Sequence, residues 1–314
     1  ICEPGAIKRL GQIVKEHMGK KVLLVTDPGL IKAGLLDVAT TSLNEAGVQY
    51  ELFDGVVADP PVSVVEAALA DALEAGVDGV IGFGGGSSMD VAKLIALLIG
   101  GGEKLDDVYG VGQAKGQRLP LIQIPTTAGT GSEVTPISII TVGETEKKGV
   151  VAPQLLPDIA LLDAELTLGL PAHVTAATGI DAMVHAIESY TSASANNNPV
   201  SKALAREALR LLGGSIKRAC THGDDREARS NMLLGSMLAG MAFANAPVAA
   251  VHALAYPLGG HYLAPRRSDC SGRSQHKPSR HQSRPAPPAI TDRRPRHGHH
   301  PLGWVPAFRA SLAA

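Results

Sequence analysis

The sequence predicts an α/β layer built on a parallel sheet, followed by an all-helical segment, and three observations carry that expectation. Short apolar runs alternate with helix-length periodic segments through the first half of the chain. Two of those runs end in loops crowded with Gly, Ser and Thr, and beyond residue 168 the strand signal stops in favour of Ala-, Leu- and Met-rich runs. The 314 residues are 45% hydrophobic, enough for a core in one large or two medium domains. With only 3% aromatic residues and 35 glycines, the composition leans toward a nucleotide-binding α/β protein rather than a β-sandwich.

The elements follow in order. Glu3 to Val14 reads as a loop entering an amphipathic helix, and the start at Ile1 leads us to expect a strand upstream of it. Lys21–Thr26 is an apolar run meeting the turn Asp27-Pro28-Gly29, as a buried parallel strand would. A helix over 31–46 capped by Gly47, a strand at Gln49–Phe53, a helix at 62–75, a strand at Gly79–Phe83 and a helix from Ser88 to Ile99 repeat the unit. Leu119–Ile124, Ile137–Val142 and Ile159–Asp163 are expected to complete the same layer, and helices are expected over 172–193, 200–219 and 226–244. The expected domains are therefore a dinucleotide-binding α/β unit at 1–167, a helical metal-binding unit at 168–262 and an atypical tail at 263–314.

Charge separates that tail from the rest. Residues 1–262 hold 19 Lys and Arg against 28 Asp and Glu, whereas residues 263–314 hold 10 against 2, with 8 of the 21 prolines and 5 of the 11 histidines. Such a segment lacks the apolar periodicity to offset its chain entropy and is expected to be disordered. An Arg-rich arm can bind nucleic acid, but this one lacks interleaved aromatics, having only Trp304 and Phe308, so no nucleic-acid partner is expected. Cys2, Cys220 and Cys270 form no C-x-x-C pair and no disulfide framework, which fits a reducing cytoplasm. No apolar run approaches the roughly 20 residues that span a bilayer, and no membrane partner is expected.

Two kinds of chemistry are written into the motifs. In Ile180-Asp181-Ala-Met-Val-His185-Ala-Ile-Glu188 a carboxylate and an imidazole stand four residues apart, on one helical face, as a divalent metal requires. His252, in Val251-His252-Ala-Leu-Ala-Tyr256-Pro257, offers a third donor, and an O/N donor set suits Fe2+ or Zn2+ better than Ca2+ or Mg2+. The loop Gly84-Gly85-Gly86-Ser87 follows a strand and opens a helix, where unpaired backbone N–H groups favour a pyrophosphate. A tight turn that needs Gly for conformation alone has the same text, and the spacing is not G-x-G-x-x-G. Pro125-Thr126-Thr127-Ala-Gly129-Thr130-Gly131-Ser132-Glu133 is a second post-strand loop whose hydroxyls could line a cofactor pocket. Asp27 could accept a ribose hydroxyl and repel a 2′-phosphate, although Asp before Pro is also a common turn former.

Together, Gly84–Asp90, Pro125–Glu133, Gly179–Glu188 and His252–Gly260, in this order, resemble the iron-containing (group III) alcohol dehydrogenases over roughly residues 5–262. That resemblance, to an architecture shared with dehydroquinate synthase, implies a dinucleotide-binding domain and an all-helical metal domain with the active site between them. It implies Asp181, His185 and His252 as metal ligands, and Gly86, Ser87, Asp90, Thr126, Thr127, Thr130 and Lys148 as cofactor contacts beside Gly85. It also implies Asp27 as selecting NAD, and Tyr256 as standing near the nicotinamide. Where the family reads Pro-His-Gly, with a further ligand, this chain reads Pro265-Arg266-Arg267, and a cation at 266 would repel a metal. From Leu263 the text resembles translation in another frame or a cloning scar.

The expectation is thus an NAD-linked, Fe2+- or Zn2+-dependent dehydrogenase for a small alcohol and its aldehyde or ketone. The alternatives are a glycerol dehydrogenase or dehydroquinate-synthase-like enzyme on the same fold, or a nucleotide-binding remnant with a broken metal site. Relatives of this kind often assemble as dimers or larger, so a homo-oligomer is expected.

Overall fold

The computed structural model describes residues 1–143, 146–247 and 250–254. Its first layer is a five-stranded, all-parallel sheet in the order β2-β1-β3-β5-β8, where β1 is Lys21–Val25, β2 Gln49–Phe53, β3 Gly79–Gly84, β5 Leu121–Pro125 and β8 Ile159–Ala160. Registers such as Leu24↔Leu52, Leu24↔Ile81 and Ile81↔Ile122 align the carboxyl ends of β1, β3 and β5 side by side. β1, β3 and β5 are buried almost throughout, as their continuous apolar text requires when both sheet faces are covered.

Alternate side chains of those strands feed two cores on opposite faces. Leu23, Val25 and Val80 pack with α4 (Val62–Ala75) and α5 (Gly86–Gly101), whereas Val22, Leu24 and Ile81 pack with α1 (Leu10–His17) and α3 (Leu36–Glu45). The helix expected over 31–46 is split. α2 (Pro28–Lys32) ends before Gly34, whose φ of 70° belongs to the left-handed region, and α3 then starts afresh at Leu36.

A second correction concerns Ile137–Val142. That strand, β6, does not extend the main sheet. It pairs antiparallel with β7 (Glu146–Val151), which in turn pairs with the short β4 (Gly110–Val111) in a separate three-stranded sheet. The small sheet is anchored to α5 because Ile139 N–H donates to Asp90 Oδ2 (3.0 Å) and Ser138 Oγ donates to the Asp90 carbonyl (3.0 Å).

After a 3-10 turn at Ala164–Thr167 the chain becomes helical: α7 (Ala172–Thr191), α8 (Pro199–Thr221) and α9 (Arg226–Asn245), with α6 the single turn Leu105–Val108 earlier in the chain. The sequence sets the starts of α8 and α9. Asn198 caps the backbone of Val200 and Ser201 ahead of Pro199, and Asp225 caps Ala228. Alanines at 182, 186, 205, 208, 219, 228, 239 and 242 let the three helices pack closely, with Leu212, Met232 and Leu233 filling between them. Buried Arg229 ties the start of α9 to α7, donating to Thr175 Oγ1 (2.7 Å), the Leu170 carbonyl (2.9 Å) and the Gly223 carbonyl (2.9 Å). No helix among the described residues is long and apolar enough to cross a membrane.

Candidate active site

The aligned carboxyl ends of β1, β3 and β5 gather Asp27, Gly85 to Ser87 and Thr126 to Thr130 on one edge of the sheet, where open α/β sheets bind ligands. At the end of β3 the chain turns through Gly84 (φ 152°) and Gly85 into α5, which starts at Gly86 with no side-chain cap, leaving its first N–H groups facing outward. Glycine is required here by space as well. A Cβ on Gly86 would stand 2.8 Å from Thr130 Cγ2, and one on Gly84 2.7 Å from Ser88 Oγ. Half-buried Gly85 and Gly86 therefore face Thr127 and Thr130 of the next loop, while Thr126 is buried and donates its N–H to the Gly84 carbonyl (2.9 Å).

Asp27 stands on the same edge, two residues past β1, as the N-cap of α2. Its Oδ1 accepts from Gly29 N–H (2.9 Å) and Leu30 N–H (3.2 Å), the turn-forming role also open to it from sequence. Burial raises its pKa against those two bonds. Asp90 is engaged inside the protein. Its Oδ1 accepts from Ser132 Oγ (2.7 Å), its Oδ2 accepts from Ile139 N–H, and Lys93 Nζ lies 3.8 Å away. It braces the helix under the loop rather than reaching out of it. Lys148 lies on β7 in the second sheet, its ammonium 5.3 Å from the Tyr109 ring centroid, and no described contact joins it to the glycine loop.

Asp181 and His185 lie one turn apart on α7, and the short helical stretch 250–254 brings His252 against them. One donor atom from each of the three lies within 4.8 Å of the others, with Asp181 exposed, His185 buried and His252 between. The rings of His185 and His252 stack at 4.5 Å between centroids, and Phe243 covers the other face of His185 at 4.5 Å. His185 Nδ1 lies 3.3 Å from the Gly129 carbonyl oxygen; a carbonyl only accepts, so Nδ1 carries the proton and Nε2 keeps its lone pair. Burial holds the His185 imidazole below the ordinary histidine range, which favours the neutral, ligating form. For His252, burial pulls the other way from the carboxylates of Asp181 and Glu188, and the carboxylates prevail, raising its pKa. A carboxylate and two imidazoles within reach of one point fit a divalent transition ion.

Gly129 joins the two halves of the site. It belongs to the Thr/Gly loop after β5, its carbonyl meets His185, and a Cβ on it would stand 2.8 Å from Thr178 Cβ on α7. The loop thus lies directly against the helix that carries two of the three donors. Cavities also exist elsewhere. One of about 320 Å³ lined by His17, Arg118 and Asp158 sits by the opposite, amino edge of the sheet and holds none of these groups.

Sequence reasoning passed over Lys93, Glu133 and Glu188. Lys93 is fully buried and donates to Ser132 Oγ (2.8 Å), Thr135 Oγ1 (3.3 Å) and the Ile137 carbonyl (2.7 Å). Glu188 was visible in the same helical motif, three residues after His185. Tyr256, and the tail from 263 with Arg266, lie outside the described residues.

An uncapped helix start on one side and an O/N donor cluster on the other are thus bridged by one loop. Comparison with known proteins fixes the family: the model of the iron-containing alcohol dehydrogenase matches residues 1–164, and that of the family's C-terminal domain matches residues 175–267. The chain belongs to the iron-containing alcohol dehydrogenase family. It is 46% identical over 261 residues to long-chain-alcohol dehydrogenase 1 of Geobacillus thermodenitrificans, covering 82% of this chain and 65% of that one. Among solved structures, a 1,3-propanediol oxidoreductase superposes with a TM-score of 0.80 at 40% identity over 84% of this chain and 69% of that one. The sulfoacetaldehyde reductase of Bifidobacterium kashiwanohense, solved in complex with NAD+, superposes with a TM-score of 0.76 at 29% identity, covering 83% and 69%. The chain spans just under two thirds of the length of its curated relatives.

Proposed function

We propose that this chain forms the site of an NAD(H)-linked, metal-dependent alcohol dehydrogenase that interconverts a small primary or secondary alcohol with its aldehyde or ketone. The observation that carries the reading is the bond between His185 and the Gly129 carbonyl, which sets the donor cluster directly beside the cofactor loop. When bound, a divalent ion, Fe2+ or Zn2+, would supply Lewis acidity toward an alcohol oxygen, and a nicotinamide would supply the hydride acceptor or donor.

The chain's own residues supply placement. Asp181, His185 and His252 hold the ion. The N–H groups at Gly85, Gly86 and Ser87 take the pyrophosphate, with the Thr127 and Thr130 hydroxyls across from them and buried Thr126 fixing the loop to β3. Asp27, with Oδ1 held by the cap, directs its carboxylate at the adenine ribose and disfavours a 2′-phosphate, so NAD(H) is preferred to NADP(H). Tyr256 is assigned as a proton relay and Lys148 as an outer cofactor contact, both on the family resemblance. The proposed setting is the cytoplasm and the proposed assembly a homo-oligomer.

The test is binding by the full chain. Titration with Co2+ or Zn2+ should saturate near one equivalent, and Asp181→Ala or His185→Ala should weaken it by at least tenfold while NADH binding, read by nicotinamide fluorescence, is retained. Tight metal binding unaffected by both substitutions would sink the assignment.

A further inference from the structure

We infer that Glu188 is a positioning residue for the metal centre, locking the His252 imidazole as its Nδ1–H tautomer with Nε2 turned toward Asp181 and His185. The inference rests on the metal reading given above. Glu188 lies on α7 seven residues after Asp181 and three after His185, so the same helical face presents all three. It is buried, and a buried carboxylate needs partners. It has two short ones from consecutive residues: Oε1 accepts from Val251 N–H at 2.6 Å, and Oε2 stands 2.6 Å from His252 Nδ1.

An ionised carboxylate is an acceptor only, so the Nδ1 facing it must carry hydrogen. In the neutral ring the lone pair is then on Nε2, which lies 3.7 Å from Asp181 Oδ1. The bond to Val251 N–H adds a second constraint, on the backbone, so one side chain fixes both the position of the segment 250–254 and the rotation of its imidazole. His185 receives its tautomer from the Gly129 carbonyl and His252 from Glu188, so each imidazole donor is set by a different outer partner.

The experiment compares the full-length chain with Glu188→Gln and Glu188→Ala by Co2+ titration, following the d–d absorption bands, and by long-range 1H–15N NMR of the metal-free imidazoles. Outer partners of metal-bound histidines typically contribute about 10–100-fold in affinity. Glu188→Ala should weaken Co2+ binding by about that range and release His252 into a mixture of tautomers. Glu188→Gln, whose amide oxygen can still accept from Nδ1–H, should recover part of the affinity and most of the Nδ1–H form. Thermal melts of the two variants should be close, so that a general packing defect does not account for the split. If the unsubstituted chain binds Co2+ through Asp181 but Glu188→Ala binds it equally well with His252 still Nδ1–H, the inference is overturned and the metal reading stands. If the unsubstituted chain binds no Co2+, the metal reading fails and takes this inference with it.

Discussion

Glu133 closes the Thr/Gly loop with a carboxyl that is 2% exposed and whose Oε1 has no hydrogen-bond partner among the described residues. Burial pushes its pKa up from 4.5 to about 7, against the attraction of nearby Lys93. Burial pulls Lys93 itself down to about 8, against Asp90 and Glu133. The folded state therefore retains the Glu133 proton between about pH 4.5 and 7, where the unfolded chain has lost it. The folded state binds more protons in that window, so this group makes stability fall as pH rises across it. Glu133→Gln keeps the shape and removes the ionisation. Its stability relative to the unsubstituted chain should climb from pH 5 to pH 7, reaching on the order of 1–3 kcal/mol, as read from denaturation midpoints. A difference that stays flat with pH would refute the assignment. None of this was legible beforehand: Glu133 ends a hydroxyl-rich loop whose text looks solvent-facing, and the turn that carries it is covered by α5 and β5 and by α9, a hundred residues later. Asp181 and His185 were legible because a four-residue spacing is a local property of a helix, and Glu188 escaped because its partner, His252, is 64 residues away.

At the level of elements, the strands buried on both faces and the long helices follow closely from their text. α4 runs over Val62–Ala75 as expected, and α7 to α9 fall within two or three residues of expectation. The second sheet does not, because β7 opens with Glu146-Lys147-Lys148 and β4 has only two residues, so neither carries an apolar run. Their partner β6 is held by a tertiary anchor, the Asp90 carboxylate on Ile139 N–H. A comparable anchor holds the loop against α9. Gly131, at φ 62°, approaches Gly240 so closely that a Cβ on Gly240 would stand 2.9 Å from Gly131 Cα and 2.8 Å from Val134 Cγ2. Much of that clash is with backbone, so a rotamer change does not relieve it. Overpacking of this kind costs about 1–3 kcal/mol, partly offset by the roughly 1 kcal/mol helix-propensity gain of Ala over Gly. Gly240→Ala should thus destabilise the chain and, by shifting Thr130 and Gly129, weaken NADH binding several-fold. A variant as stable as its parent with undiminished NADH affinity would show that the contact is not needed.

Across the whole molecule, the two halves of the site have different structural supports. The edge proposed for the cofactor is built by three strands of one sheet with a core on each face, whereas the proposed metal donors rely on α7 and on a five-residue segment held to it by Glu188. The helical part also leaves large apolar side chains exposed, Ile180, Ile187 and Tyr190 on α7 and Val251 and Leu254 beside His252. In sequence, Arg266 stands where the family resemblance implies another ligand, within the stretch matched by the family's C-terminal model. NADH binding should therefore survive chelation by EDTA, because the described contacts that hold the glycine loop are made by the sheet and its own neighbouring loop. Alcohol-dependent reduction of NAD+, followed at 340 nm, should be low for this chain, since its sequence carries Arg266, a residue with no lone pair to offer an ion, where the family resemblance implies a further donor. Arg266→His alone should leave it low, because the text on either side of it, from Leu263 onward, also departs from the family's. Replacing everything after Tyr262 with the corresponding segment of a relative should raise turnover by well over tenfold with little change in NADH affinity. Full turnover by metal-loaded protein with residues 263–314 unchanged would overturn this and make that segment a working part of the catalytic unit.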